Sequence, residues 1–248
     1  MPSDIEQPAE EIGGDELWAE SASAWIEAVG RDPARMMLDP LMLRLCGDVE
    51  GARVLDVGCG EGRFCRMLSE RGAWCVGIDP THELLAAARE RGSMAPIRGI
   101  AEGMPVRAAS FDLTVSYITL VDIAGYHEAI AEMARVLRPG GQLVVANIGF
   151  VSASQAPNGG WLRDDAGTAL HVPIDRYLSE SHAVLEWAGI RLLNWHRPLS
   201  AYMSAYLGAG LILRDFLEPA PPEQFRGHPD FERAFRVPWF TVMRWEKA

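Results

Sequence analysis

An apolar run carrying a single acid leads straight into three alternating glycines, VLDVGCGEGRF at residues 54–64. Read as a buried strand, it places Asp56 near the carboxyl end. Gly58, Gly60 and Gly62 then let the backbone turn sharply and meet a ligand without side chains in the way. Around that bend the amides of Gly58, Cys59 and Gly60 become available as donors. A second apolar run, Trp74–Ile78, ends in Asp79, followed by Pro80. A carboxylate at such a strand end accepts both hydroxyls of a ribose. Together these residues describe a site for a ribose-bearing cofactor. The spacing is G-x-G-x-G, with Arg63 where the last glycine of the dinucleotide fingerprint G-x-G-x-x-G falls.

The elements that must position these groups follow an alternating pattern. Strand 54–57 leads to a helix with Phe64, Met67 and Leu68, and strand 74–78 to a helix with Leu84, Leu85 and Ala88. A short strand near Pro96–Ile100 precedes the loop Ala101-Glu102-Gly103-Met104-Pro105. Strand 111–118 and a helix with Ile130, Met133 and Leu137 come next, then a tight turn and a fifth strand within 137–148. Such alternation predicts an α/β fold: a doubly wound, mostly parallel, seven-stranded sheet whose last strand runs antiparallel. Ligands bind beyond the carboxyl ends of these strands, where the strand order reverses.

Outside the alternation, residues 1–14 are polar and acidic and are expected to be disordered. Residues 15–50 form a helical extension: one helix carries Trp18, Ala22, Trp25 and Ile26, and a second is expected to start at Asp39-Pro40, with Asp39 as its cap. This extension either packs on the sheet edge or roofs the site. Residues 51–148 make the cofactor-binding core, and 149–198 an insertion capping the substrate. The insertion is expected to hold a helix near Asp175–Trp187 and a strand at Ile190–Trp195. Residues 199–248 complete a single domain with a helix, strands 211–217 and 239–245, and an antiparallel edge.

Composition narrows the partners. A net charge of −11 disfavours a phosphate-tracking surface, so no nucleic-acid partner is expected. The four cysteines lack metal-type spacing with histidine and suit a reducing, cytoplasmic setting, with no metal expected. The acidic start lacks a signal-peptide core, and no run is apolar and long enough to span a bilayer. Oligomeric state is not legible.

The glycine segment resembles motif I of the class I S-adenosylmethionine-dependent methyltransferases, small-molecule type. Ala101-Glu102-Gly103-Met104-Pro105 resembles the segment that frames the adenine in that family, and ARVLRPGGQLVVANI (134–148) its fifth strand with the turn before it. More loosely, 196–211 and 238–247 resemble its C-terminal part. The resemblance implies S-adenosyl-L-methionine as cofactor, held by Asp56, Gly58, Cys59, Gly60, Asp79, Pro80, Ala101, Glu102 and Ser116. Arg31 or Arg35 is expected to reach its methionine carboxylate. Many relatives carry Asp where this chain has Ile100, which leaves the adenine partner open.

Methyl transfer from a sulfonium is an in-line displacement in which positioning supplies much of the rate, and an oxygen acceptor gains from a general base. His196 ranks first among six histidines for that role, with Tyr117 and Asp122 as further catalytic candidates. Trp18, Trp25, Trp161, Trp187 and Trp195 suggest an apolar or aromatic acceptor, methylated on oxygen or nitrogen. Two alternatives stay open at this point. One is a protein that binds S-adenosylmethionine without catalysis; the other is an NAD(P)-dependent oxidoreductase, against which the glycine spacing and the missing Tyr-x-x-x-Lys pair speak.

Overall fold

The computed structural model describes residues 14–150, 161–228 and 231–248, so the expected disorder of the N-terminal tail lies outside the described residues except at Gly14. Seven strands form the main sheet: β1 Arg53–Val57, β2 Trp74–Asp79, β3 Ala95–Arg98, β4 Phe111–Tyr117, β5 Leu137–Ile148, β10 Leu211–Leu217 and β11 Phe240–Lys247. Their order is β10-β11-β5-β4-β1-β2-β3. From β1 the chain winds outward through β2 and β3, then returns to place β4 on the other side. The reversal point therefore lies between β1 and β4, where Val57 pairs with both Ile78 and Ser116. The last strand, β11, is antiparallel to both β5 and β10. It lies inside the sheet rather than at its edge, and β10 forms the rim.

Alternation along β1 explains why one strand serves two layers. Leu55 and Val57 face a core built with α5 (Tyr126–Val136) and α6 (Leu199–Gly208). Val54 faces the opposite core, with α2 (Pro33–Cys46), α3 (Arg63–Ser69) and α4 (His82–Arg91). Asp56 shares the face of Val54 and so enters a fully packed layer at the base of α3.

Two expected elements are corrected. The helix placed at Asp175–Trp187 is absent; Ser181–Trp187 is strand β8, paired antiparallel with β9, Ile190–His196. The hairpin turns on Ala188 and Gly189, both at positive φ (48° and 77°), the geometry of a type I′ turn. Ala-Gly supplies it in place of the usual Asn-Gly, which hid the signal. Two short strands, β6 Leu162–Arg163 and β7 Ala169–His171, make a second small ribbon in the insertion. The second N-terminal helix starts at Pro33, not Asp39, and Pro40 lies inside it. Asp39 is spent elsewhere: its carboxylate takes both terminal nitrogens of Arg63, at 2.6 and 2.8 Å, and the Tyr117 hydroxyl at 2.7 Å.

The first helix, α1 (Gly14–Ala28), packs on β9 and on α4, and thus bridges the carboxyl ends of the sheet. Ser21 fixes it there. Its hydroxyl donates to the Arg191 carbonyl (3.0 Å) and accepts the Arg191 N–H (2.9 Å). Within the extension, α1 borders the cavity through Trp18 and Trp25, whereas α2 packs on the sheet beside β5. Ser21→Ala removes both bonds, an expected loss of about 1–2 kcal/mol. Protease nicking within α1, followed in time, should rise several-fold; an unchanged cleavage rate would rule out the latch.

Candidate active site

A cavity of about 600 Å³ opens at the β1/β4 reversal point, beneath α1. One end is the glycine bend. Gly58 and Cys59 N–H both donate to the Ile78 carbonyl, at 2.8 and 3.0 Å, and Gly60 N–H to Asp79, so the three amides expected as ligand donors are instead spent on curling the chain over the end of β2. Gly58 sits at φ +72°, and a Cβ there would lie 2.1 Å from Thr119 Cγ2. Gly60, at φ +54°, has only Trp25 Nε1 within 4 Å of such a Cβ, at 3.8 Å, so it faces the open cavity. Behind the bend, the buried carboxylate of Glu61 holds Arg66 at 2.6 Å and also Arg91, tying α3 to α4.

Asp79 is buried beside this bend. Its Oδ2 accepts the Gly60 N–H and its Oδ1 the Thr81 N–H, both at 2.9 Å. Each oxygen retains lone-pair capacity for a further donor from the cavity. Burial pushes its pKa up, against those two backbone bonds. Asp56 is deeper: Oδ2 accepts the Cys65 thiol at 3.4 Å, while Oδ1 is buried without a partner. Burial raises its pKa to about 7.

Asp56, Gly58, Cys59, Gly60, Asp79, Pro80, Ala101 and Glu102 all border the cavity, as do Tyr117 and Asp122. Ser116 does not: it is fully buried between Val57 and Val145, and its hydroxyl finds no partner. His196 does not either. Its ring is buried, with Nε2 2.8 Å from the Tyr177 carbonyl, which makes that nitrogen the donor, and Nδ1 is enclosed without a partner. The ring thus braces the turn after β7, and it is corrected to a packing residue. Among the described residues no histidine borders the cavity.

Tyr117 borders the site as a wall. Its hydroxyl donates to Asp39, its ring lies under Arg35 (4.5 Å) and Arg63 (5.5 Å), and burial moves its pKa upward. A phenol so held is a poor base. Asp122 keeps its candidacy. Burial raises its pKa well above the carboxylate range, and it accepts a hydrogen bond from Asn194 Nδ2. It does not cap α5, whose cap position is Gly125.

Of the two arginines expected at the methionine carboxylate, Arg35 is buried and borders the cavity, its Nε 3.5 Å from the Asp32 carboxylate without a hydrogen bond; the Arg31 side chain lies outside the described residues. Sequence reasoning missed two other features. Gly77 on β2 gives room for Cys59, whose Sγ would lie 2.6 Å from a Cβ there. Ile118, just after β4, adopts φ +56°, a conformation costly for a β-branched residue and found where sites impose it. None of these announces itself by spacing; each follows from a neighbour distant in the chain.

These residues suit an adenosyl sulfonium bearing an amino acid: a bare bend, a carboxylate pair, an orphaned buried oxygen at Asp56 and an underused guanidinium at Arg35. Residues 55–145 match the family described as a methyltransferase domain. A demethylmenaquinone methyltransferase of Mycobacterium marinum is 38% identical over 95 residues, 38% of this chain and 41% of that protein. A ubiquinone biosynthesis O-methyltransferase of Xylella fastidiosa is 30% identical over 159 residues, 60% of this chain and 65% of the other. The matched region thus spans about two-fifths of the first relative's length. The crystal structure of an S-adenosylmethionine-dependent methyltransferase from Mesorhizobium loti superposes with a TM-score of 0.77 at 26% identity, covering 85% of this chain and 98% of that one. Joined to the glycine spacing, the Asp79 carboxylate and the sheet order, these likenesses identify residues 55–145 as a methyltransferase domain, on a fold similar to that of an S-adenosylmethionine-dependent methyltransferase.

Proposed function

We propose that this protein transfers a methyl group from S-adenosylmethionine to an oxygen or nitrogen of a small, largely apolar molecule. The single observation carrying this reading is the cavity itself. It brings the glycine bend and Asp79 together with Trp18, Leu193 and Trp195 around one space. When bound, the cofactor supplies an electrophilic methyl group on a positively charged sulfur. Asp79 holds the ribose hydroxyls, and Ala101 and Glu102 border the adenine. Asp56 and Arg35 receive the ammonium and carboxylate ends of the methionine moiety. Trp18 and Trp25, ring centroids 5.3 Å apart and edge to face, exclude water from above. Asp122 is the remaining acid at the acceptor end. The curated relatives named for quinone biosynthesis support a lipophilic acceptor, and nothing basic on this acidic chain favours nucleic acid. No described helix is long and apolar enough to cross a membrane.

Incubation with methyl-labelled cofactor and a library of small aromatic molecules tests the reading. Cofactor binding without label transfer to any acceptor would favour the non-catalytic alternative.

The raised pKa of Asp56 yields a second test. Its folded value of about 7 exceeds the unfolded one near ~3.9. Over that window the folded chain keeps a proton that the unfolded chain releases, so stability falls as pH rises. A cationic ligand reverses the preference by favouring the ionised form. Cofactor affinity should therefore climb between about pH 5 and 7 and level off above, with proton release seen calorimetrically in buffers of different ionisation enthalpy. Asp56→Asn should flatten this profile, stabilise the free protein near neutral pH and weaken binding. An equally steep profile in that variant would remove Asp56 from the site.

A further inference from the structure

The end of the cavity away from the glycine bend has a chemistry of its own. Ile123, Leu193, Trp195 and Trp18 give it apolar walls, with the Asp122 carboxyl and the unpartnered Trp195 indole N–H as polar groups. Among the described residues the only cations bordering the cavity are Arg35 and Arg63. Both belong to the bend end, where Asp32 and Asp39 already face them. An anionic acceptor would meet Asp122 and Asp15 with no counter-ion, a costly burial. An ammonium would be drawn in, but its nitrogen has no free lone pair to attack a methyl carbon.

Asp122 is oriented from outside its own segment. Asn194, on β9, donates from Nδ2 to Asp122 Oδ1. The next residue, Trp195, donates its backbone N–H to the Val121 carbonyl at 2.7 Å, pinning the hairpin beside Asp122. Arg197 continues the brace: it is buried, and its guanidinium donates to the carbonyls of Leu120, Ile123 and Ala124. The segment carrying Asp122 is thus held on both sides by the chain leaving β9, and among the described residues Asn194 hydrogen-bonds its carboxyl.

We propose that this end accepts a neutral, flat aromatic molecule bearing a hydroxyl, that Asp122 takes the hydroxyl proton, and that Asn194 is the positioning residue for that carboxyl. The inference rests on the methyl-transfer reading and adds the acceptor class to it. The acceptor oxygen forms its bond to the methyl carbon as the carbon–sulfur bond breaks. The bonding pair stays on sulfur, which becomes a neutral thioether, and the hydroxyl proton passes to Asp122 and then to solvent. Burial of Asp122 supports the role, because a carboxylate of raised basicity is better matched to a phenol. The groups acting on it are Asn194 from β9 and Asp79 from β2, and its own charge is felt by Tyr202 from α6.

The test uses the full chain with S-adenosylhomocysteine bound, checked first by calorimetry. Binding of 1-naphthol, 1-naphthoate and 1-naphthylmethylammonium is read by quenching of tryptophan fluorescence. The phenol is expected to bind at least about tenfold more tightly than the anion. With methyl-labelled cofactor, label should appear on naphthol oxygen. Asn194→Ala should lower kcat by about 10²-fold with cofactor KM unchanged. It should also move the acid limb of the pH profile upward, because the lost bond had favoured ionised Asp122. Equal or tighter binding of the naphthoate, label on the amine alone, or no naphthol binding to the loaded chain would each overturn the proposal. So would an acid limb that stays in place in Asn194→Ala. Failure of S-adenosylhomocysteine to bind at all would instead count against the underlying methyl-transfer reading. The naphthol-to-naphthoate ratio is measured on the unaltered chain, so the proposal stands or falls even if Asn194→Ala does not fold.

Discussion

Asp79→Ala should weaken S-adenosylmethionine binding by about 100-fold or more, because two charge-assisted bonds to ribose hydroxyls are each worth ~1.5–3 kcal/mol. The same carboxylate also serves the fold, since it accepts the N–H groups of Gly60 and Thr81. Their loss of a partner costs about 1–3 kcal/mol each when water cannot replace it. Here the cavity admits water, and removing a buried charge of raised pKa returns some stability. A net destabilisation of only about 1–2 kcal/mol is therefore expected. Asp79→Asn keeps the volume and one acceptor oxygen, and should unfold later in urea than the alanine variant while binding little better. Calorimetric titration of each variant beside its urea midpoint separates the two effects. Undiminished affinity in a folded Asp79→Ala protein would contradict the ribose assignment.

Gly58→Ala should be the most damaging single methyl in the bend. The new Cβ would sit 2.1 Å from Thr119 Cγ2, 2.5 Å from its Oγ1 and 2.9 Å from its Cβ, at a φ of +72°. Left-handed backbone costs a non-glycine residue about 1–2 kcal/mol, and overpacking ~1–3 kcal/mol more. Gly60→Ala meets nothing nearer than Trp25 Nε1 at 3.8 Å, so it should lose only the backbone part, about 1 kcal/mol. It should nonetheless bind cofactor poorly, because its methyl group points into the cavity. Adding Thr119→Gly to Gly58→Ala removes the three nearest atoms and should recover most of the overpacking share, leaving the backbone share. Denaturant midpoints across the four proteins test this. A double variant no more stable than Gly58→Ala would mean that Thr119 is not what confines the bend.

The parts readable in sequence were those written in local periodicity. β1, β2, β4 and β10 fall within a residue or two of their expected bounds, because continuous apolar runs mark buried parallel strands and alternation marks the antiparallel rim strand β10. The glycine bend and Asp79 were legible for the same reason: each is a strand end followed by residues of unusual backbone freedom. Misreadings came where partners lie far apart in the chain. Ser181–Trp187 carries no helix because Ile190–His196 pairs with it, and Ala-Gly is an inconspicuous turn. Asp39 looks like a cap until α3 brings Arg63 to it. His196 looks like a base beside a ligand, yet the chain folds the Tyr177 carbonyl onto its ring.

Sequence alone determined the mostly parallel sheet with its antiparallel last strand and the positions of the glycine bend and Asp79, since these are carried by short-range patterns. Which acid faces the acceptor, which helix roofs the cavity and which arginine stands open to the cofactor were decided only by tertiary packing. Asp122 owes its role to Asn194 seventy-two positions away, and α1 its place to Arg191 one hundred and seventy away. Contacts at such separations leave no periodic trace, because their energy depends on where independent elements dock rather than on the order in which residues follow one another.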